Sequence, residues 1–303
     1  MKLSAGRPIH ILNDMSANKE GVKINNSIYQ KRSVSICEII EHINLNPENA
    51  PQIILSVSPV RSGSTALMRV FAAAGIQTHF QELKNILRWL MIDGVHNWTP
   101  GNDIQMLMLK EALGPYTKLE CAFNPMRVLL GAGLPPKNLY LVIMGRSPVK
   151  TWASWKALWG DATNPALFAK AYQTTEQIRS EGKKRGIHTT CVCYEIFKDN
   201  KEEVMVKRLF HRLGLTCHPC ALKGWSKLPT FGTPGSNIVF PHEPEPFSMP
   251  DGLVKVIQAE QFSYLPGDHY IDYIEEADKT TIAKNGLFDI YENWFRICQE
   301  DLS

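Results

Sequence analysis

Several things are scarce in this chain, and each scarcity removes a class of function. Charge of one sign is scarce. The 303 residues carry a formal net charge of only +3, with 21% charged residues, which argues against a protein built mainly to bind nucleic acid. Long apolar runs are scarce too. The opening "MKLSAGRPIHILNDMSANKE" has no stretch of signal-peptide length, and nothing later approaches a membrane-spanning helix. The expectation is a cytoplasmic protein that does not work on a membrane. Paired cysteines are not evident. Seven scattered cysteines, Cys37, Cys121, Cys191, Cys193, Cys217, Cys220 and Cys298, fit reduced thiols better than a disulfide framework. Cys217 and Cys220 have CxxC spacing, with His211 and His218 nearby. A zinc site would want a second pair of ligands at matching spacing. None is found, and no metal is expected. Internal repeats and low-complexity runs are also missing.

What is there is a core. Hydrophobic residues make up 44% of the chain, enough for one large domain or two modest ones. Residues 1–50 are polar and weakly patterned, with one helix expected near Val34–Ile43. They read as an extension packed on a single domain spanning 51–303. Short apolar runs then alternate with helical patterns. "QIILSVS" (Gln52–Ser58), "IQMLML" (Ile104–Leu109), "LYLVIM" (Leu139–Met144) and "HTTCVCY" (His188–Tyr194) read as buried strands. Helical spacing follows at Thr65–Ala74, Pro125–Gly133, Val149–Leu158 and Lys198–Gly214. A last helix is expected to dock through Leu287, Ile290, Trp294 and Phe295. Strands alternating with helices predict an α/β fold: a central parallel sheet flanked by helices, a P-loop-like three-layer sandwich. The Pro- and Gly-rich stretch 221–250 reads as a long loop, either a plain surface loop or a cover for the substrate.

Two stretches carry chemistry. "SVSPVRSGSTAL" takes the first strand through a tight loop into a helix. Such a loop turns several backbone N–H groups, and the positive end of the helix dipole, onto one spot. Arg61 adds a full charge, Ser62, Ser64 and Thr65 add hydroxyls, and Gly63 permits close approach. This points to a phosphate or sulfate site. A nucleotide-hydrolysing P-loop would need a Lys before its Ser/Thr and a first Gly, and both are missing. The second stretch, "IMGRSPVKTWAS", puts Arg146 at the end of a buried strand and Ser154 eight residues later in the next helix. In a parallel sheet that strand end opens on the same edge as the first loop. Two anion sites on one edge fit a ligand with two separated anionic groups, and the planar fork of Arg suits a phosphate that is held rather than transferred.

With these two motifs in this order, and "CVCYEIFKDN" after a later strand, the chain resembles the PAPS-dependent sulfotransferases over roughly residues 51–215. PAPS is 3′-phosphoadenosine 5′-phosphosulfate. "PVRSGST" looks like the family's 5′-phosphosulfate loop, and the Arg146-to-Ser154 spacing equals its 3′-phosphate motif. The chain looks closer to a bacterial-type or carbohydrate-type branch than to the animal cytosolic one. Val60 is an extra residue before the basic position. Arg61 stands where many members have Lys, and Ala66 where they have an adenine-stacking Trp. The adenine then needs another partner: Tyr194, Trp225 or Phe231. Gly235 and Ser236, within "GTPGSN", are candidates to replace the missing C-terminal phosphate segment.

The resemblance implies sulfuryl transfer from PAPS to a hydroxyl or amine of a small-molecule acceptor. Adenosine 3′,5′-bisphosphate (PAP) is the other product, and no metal is involved. Arg61 would act on the transferring group, Ser62 to Thr65 on the 5′-phosphate, and Arg146 and Ser154 on the 3′-phosphate. The strand-end His of cytosolic members is absent from "MLKEALGP". Candidate bases are Glu111, then Glu82, then His79. Trp152, Trp155 and Trp159 read mainly as core, and Lys150 and Lys156 as a solvated face. An acceptor tethered to a carrier protein also fits. Two alternatives stay open: a nucleotide-dependent kinase or NTPase of related fold, and a binding protein with a relic anion site.

Overall fold

The computed structural model describes residues 29–101, 103–160, 163–198, 200–225, 236–247, 259–265 and 268–303. In chain order the main elements are α1 (Ile36–Ile40), β1 (Gln52–Pro59), α2 (Ser64–Ala73), β2 (Gln77–Phe80), α3 (Glu82–Met91), β3 (Met106–Leu113), α4 (Lys118–Ala122), α5 (Pro125–Gly131), β4 (Leu139–Gly145), α6 (Pro148–Trp159), α7 (Pro165–Lys184), β5 (His188–Cys193), α8 (Glu202–Arg212), β6 (Ile238–Val239), α9 (Glu276–Lys284) and α10 (Leu287–Asp301). The strands form one sheet in the order β5-β4-β1-β3-β2-β6, and every pairing is parallel.

Sheet parity fixes the layers. Leu55, Val57 and Glu111 share one face, because Val57 pairs with Glu111 and with Ile143. Glu111 reaches the start of α3, and Leu141, on the same face, lies against Gly182 of α7. The opposite face carries α2: Met144 points at Gly63, just before that helix. Phe71 of α2 stacks on Phe210 of α8. Right-handed crossovers require this split. The chain leaves β1 toward β2 over one face and returns through α3 to β3 over the other. The result is the α/β three-layer sandwich expected from the sequence.

Adjacent strands β1 and β4 send their following helices to opposite faces and in opposite directions. This makes their carboxyl ends a topological switch point, where open α/β sheets leave a crevice.

Several boundaries differ from the sequence expectation. The strand read at Ile104–Leu109 is Met106–Leu113, so Lys110 and Glu111 lie inside it rather than closing it. Both stay in the strand because each charged group has a buried contact of its own. The helix near Val34–Ile43 is only Ile36–Ile40, and Lys198–Gly214 contracts to Glu202–Arg212. Trp294 of the last helix is buried, with Leu287 and Cys298, whereas Ile290 and Phe295 are half-buried. The pattern signalled neither β2, four residues long, nor the 20-residue α7. Lys156 is not simply solvated, since it pairs with Asp278 at 2.9 Å. Residues 29–50 join the core through Ile39 and Ile43. No helix among the described residues is long and apolar enough to cross a membrane.

Candidate anion and acceptor site

The loop after β1 is shaped by two left-handed residues, Arg61 (φ 73°) and Gly63 (φ 86°). Gly63 precedes the first turn of α2 and has no side chain for a reason. A Cβ there would meet Tyr194 Cδ2 at 2.7 Å and Met144 Cε at 3.2 Å. The loop is thus pressed onto the ring of Tyr194, which follows β5. Ser62, Ser64 and Thr65 are buried around it, while Ala66 is half-buried in the first turn of α2.

Arg61, Arg146, Ser154 and Tyr194 come together at the switch point. Arg61 Nε donates to Ser154 Oγ at 2.9 Å. Arg146 Nη1 donates to the Arg61 carbonyl at 3.2 Å, and its guanidinium lies 5.2 Å from the centroid of the Tyr194 ring. The backbone of Arg146 is fixed in turn, because its carbonyl accepts the Tyr172 hydroxyl at 2.7 Å. Glu195, next to Tyr194, clamps the start of α6 by accepting the Ser147 N–H at 3.0 Å. Trp155 anchors the anion loop through Nε1–H to the Val60 carbonyl at 3.0 Å. Inside this scaffold the Ser62 hydroxyl and Arg146 Nε are buried without a hydrogen-bond partner among the described residues. Buried donors of this kind are costly unless something else satisfies them. A phosphate-bearing ligand fits that need.

Other candidates lie elsewhere. Asn237 donates to the Ala72 carbonyl at 3.0 Å, which puts Ser236 at the far end of α2 from the loop. Ten residues of helix span about 15 Å, so Ser236 does not join the Arg61–Arg146 group. Its hydroxyl accepts the Ile238 N–H at 3.1 Å and starts β6. Gly235 and Phe231 lie outside the described residues. Trp225 is buried under Arg69, 4.3 Å from ring centroid to guanidinium, and is not open to an adenine. Trp152 and Trp155 are core, as read, with Trp159 half-buried beside them. Cys220 gives its thiol to the Ala73 carbonyl at 3.2 Å.

The three candidate bases meet at one helix start. Glu111 accepts the N–H groups of Leu83 and Lys84, at 2.9 and 3.2 Å, and so caps α3. Burial pushes its carboxyl up to about 7 despite those bonds. Glu82, the first residue of α3, sits between two imidazoles: His79 Nδ1 at 3.2 Å and His96 Nε2 at 2.7 Å. Burial alone would raise the Glu82 carboxyl, but the two histidine hydrogen bonds outweigh it and hold it below its ordinary value.

Sequence reasoning passed over three groups here. Lys84 is fully buried, donates to the carbonyls of Ala112 and Gly114 at 2.6 and 3.0 Å, and is lowered by burial to about 8. Lys110 lies 4.0 Å over the Phe80 ring, and burial carries its ammonium well below the ordinary range. His96 reaches Glu82 across the whole of α3. No periodicity links residues fourteen apart, so only the fold could reveal that contact.

No protein-family model matches the chain, and no curated protein does either. The chain is similar to a solved structure described as retinol dehydratase in complex with androsterone and the inactive cofactor PAP. Sequence identity is 13%, the TM-score is 0.39, and the match covers 82% of this chain and 83% of that one. A likeness of that degree assigns no chemistry.

Proposed function

We propose that this protein is a sulfotransferase that moves a sulfuryl group from PAPS to a hydroxyl or amine of a small-molecule acceptor. One observation carries the reading. The two motifs recognised in sequence, 93 residues apart from Arg61 to Ser154, converge within hydrogen-bond distance at 2.9 Å. They do so at the carboxyl ends of adjacent parallel strands, beside two buried groups, Ser62 Oγ and Arg146 Nε, that lack a hydrogen-bond partner among the described residues.

In this reading Gly63 lets the backbone approach the 5′-phosphate. Ser62, Ser64, Thr65 and the N–H groups opening α2 hold it. Arg146 and Ser154 hold the 3′-phosphate, and Tyr194 walls the nucleotide. Arg61 lies between the two anionic ends and meets charge as it builds on the bridging oxygen. PAPS supplies the activated sulfuryl group. The protein's part is to align donor and acceptor oxygens and to steady charge, as in phosphoryl transfer.

The test is calorimetry with PAP, without and with magnesium, on the wild type and on Arg146→Ala. The expected result is micromolar, magnesium-independent binding that weakens by about 30-fold or more in the variant, the loss of one buried charge-assisted partner. Binding of ATP alone, and only with magnesium, would favour the kinase reading. Tight PAP binding with no sulfate released from PAPS under any acceptor would favour a binding protein.

A further inference from the structure

Within the proposed sulfotransferase reading, we propose that the base is His79, acting through Nε2, with Glu82 and His96 as its positioning residues. This inference rests on that reading and names a part of the site that the motifs do not contain.

Each candidate carboxylate already has a task. Both oxygens of Glu111 accept backbone N–H groups of α3. Taking a proton there would give up bonds that begin the helix. Both oxygens of Glu82 are likewise engaged, one by each imidazole. The remaining group is His79. Its side chain is 7% exposed, and its Nδ1 faces Glu82. Its Nε2 is buried with no hydrogen-bond partner among the described residues. A carboxylate at Nδ1 selects the tautomer with hydrogen on Nδ1 and the lone pair on Nε2. It also fixes the orientation of the ring, as the carboxylate does in a nucleophile–His–carboxylate triad.

His96 supplies the second restraint. Its Nε2 lies 2.7 Å from the other oxygen of Glu82, and its side chain is 22% exposed against 5% for Glu82. It orients the carboxylate from the solvent side. His79 itself is held in β2, paired with Leu109 on β3 and with Val239 on β6. It lies one residue from the carboxyl end of β2, on the edge that carries the anion loop. Trp98 packs edge-on to the imidazole at 6.0 Å. The other charged groups gathered here are Glu111 and Lys110 on β3 and Lys84 on α3.

The proton balance is simple. His79 Nε2 takes the acceptor's proton as the acceptor oxygen bonds to sulfur and the sulfur–oxygen bond to the nucleotide's 5′-phosphate breaks. The imidazolium stays paired with the Glu82 carboxylate and gives its proton to solvent after the products leave.

Two measurements test this. The first needs no turnover: long-range nitrogen–proton NMR on histidine-labelled protein reads which ring nitrogen of His79 is bare. The expected result is a bare Nε2 in the wild type and mixed tautomers in Glu82→Gln. A hydrogen on Nε2 of the wild type at neutral pH overturns the proposal. The second follows inorganic sulfate released from labelled PAPS with water as acceptor. His79→Asn should slow release by about 100-fold or more, the scale of a positioned base. The KM for PAPS and the affinity for PAP should not change, and added imidazole should restore part of the rate in His79→Ala. His96→Gln should shift the pH profile of release and leave PAP affinity intact. A wild-type rate in His79→Asn also overturns the proposal. If the wild type does not bind PAP, or binds it and transfers sulfate to no acceptor, the sulfotransferase reading fails. With PAP bound and sulfate released, a hydrogen on Nε2 or a wild-type rate in His79→Asn overturns this proposal alone, and the two failures are thus distinct.

Discussion

At the ends of β1 and β4, Arg61 and Arg146 are surrounded by a hydroxyl, a carbonyl and a tyrosine ring. At the ends of β3 and β2, two strands along the same edge, charges close on one another. Arg88 holds Glu120 at 2.8 Å, Lys84 lies 3.9 Å from Glu120, and Glu82 sits between two histidines. In the first region the Ser62 hydroxyl and Arg146 Nε lack a hydrogen-bond partner among the described residues, and the second has matched most of its charges internally. In the proposed reading the difference follows from what each region does. A site for a doubly anionic ligand loses affinity if internal carboxylates already occupy its arginines. A site that must hold a base in one protonation state gains from a fixed ring of partners.

The sharpest way to break the comparison is to remove one internal partner. Glu120 is fully buried and accepts from Arg88 and from the N–H groups of Tyr116 and Thr117. Glu120→Gln leaves the Arg88 guanidinium with one carboxylate in place of two, the largely buried Glu243 at 2.6 Å. Breaking a buried pair from one side costs about 3–5 kcal/mol. Urea unfolding should show a loss of that order, while the folded fraction still binds PAP as the wild type does. An equal loss of PAP affinity would mean that the two regions are one coupled unit.

A finer test uses pH. The Glu111 carboxyl is raised by burial from its ordinary value to about 7. Between roughly 4.5 and 7 the folded state therefore binds more protons than the unfolded chain. Stability from this group falls as pH rises through that window. Lys84, lowered by burial to about 8, acts in the opposite sense above it. From pH 8 to about 10 the unfolded chain binds more protons, and stability rises with pH. Denaturation midpoints should thus dip between pH 7 and 8. Glu111→Gln should flatten the acid limb and leave the alkaline one. A flat wild-type curve would show that the pair keeps its charges when buried.

These two regions were unequally legible in the sequence. Arg61, Gly63, Arg146 and Ser154 are readable as a candidate site because a strand–turn–helix start is a local object: its residues are contiguous, and the second motif has fixed spacing. Parallel pairing of β1 with β4 then brings the two together without further information. The β3–β2 region is not local. Glu111 reads as a strand terminus because a charged residue usually ends an apolar run. Inside the fold it lies on β3, at the register where α3 begins, and the helix N-terminus repays its burial. Lys84 and His96 carry no pattern at all. Ser236 misled for the same reason, since a Gly- and Ser-rich turn resembles an anion site wherever it lies, and only the path of α2 shows that it stands at the wrong end.

The mildest test falls on the border of the proposed nucleotide site. Tyr194 presents its ring to Gly63 and Arg146 and its hydroxyl to the chain beyond, where it accepts the Leu265 N–H at 3.0 Å. Tyr194→Phe keeps the ring and removes the acceptor. If the ring alone walls the nucleotide, unfolding free energy should drop by about 1 kcal/mol, one neutral hydrogen bond, and the Kd for PAP should stay within about twofold. A tenfold weaker Kd would mean that the Tyr194–Leu265 bond itself shapes the pocket. Residues 259–265 would then belong with Arg146 and Ser62, among the groups that shape the proposed nucleotide site.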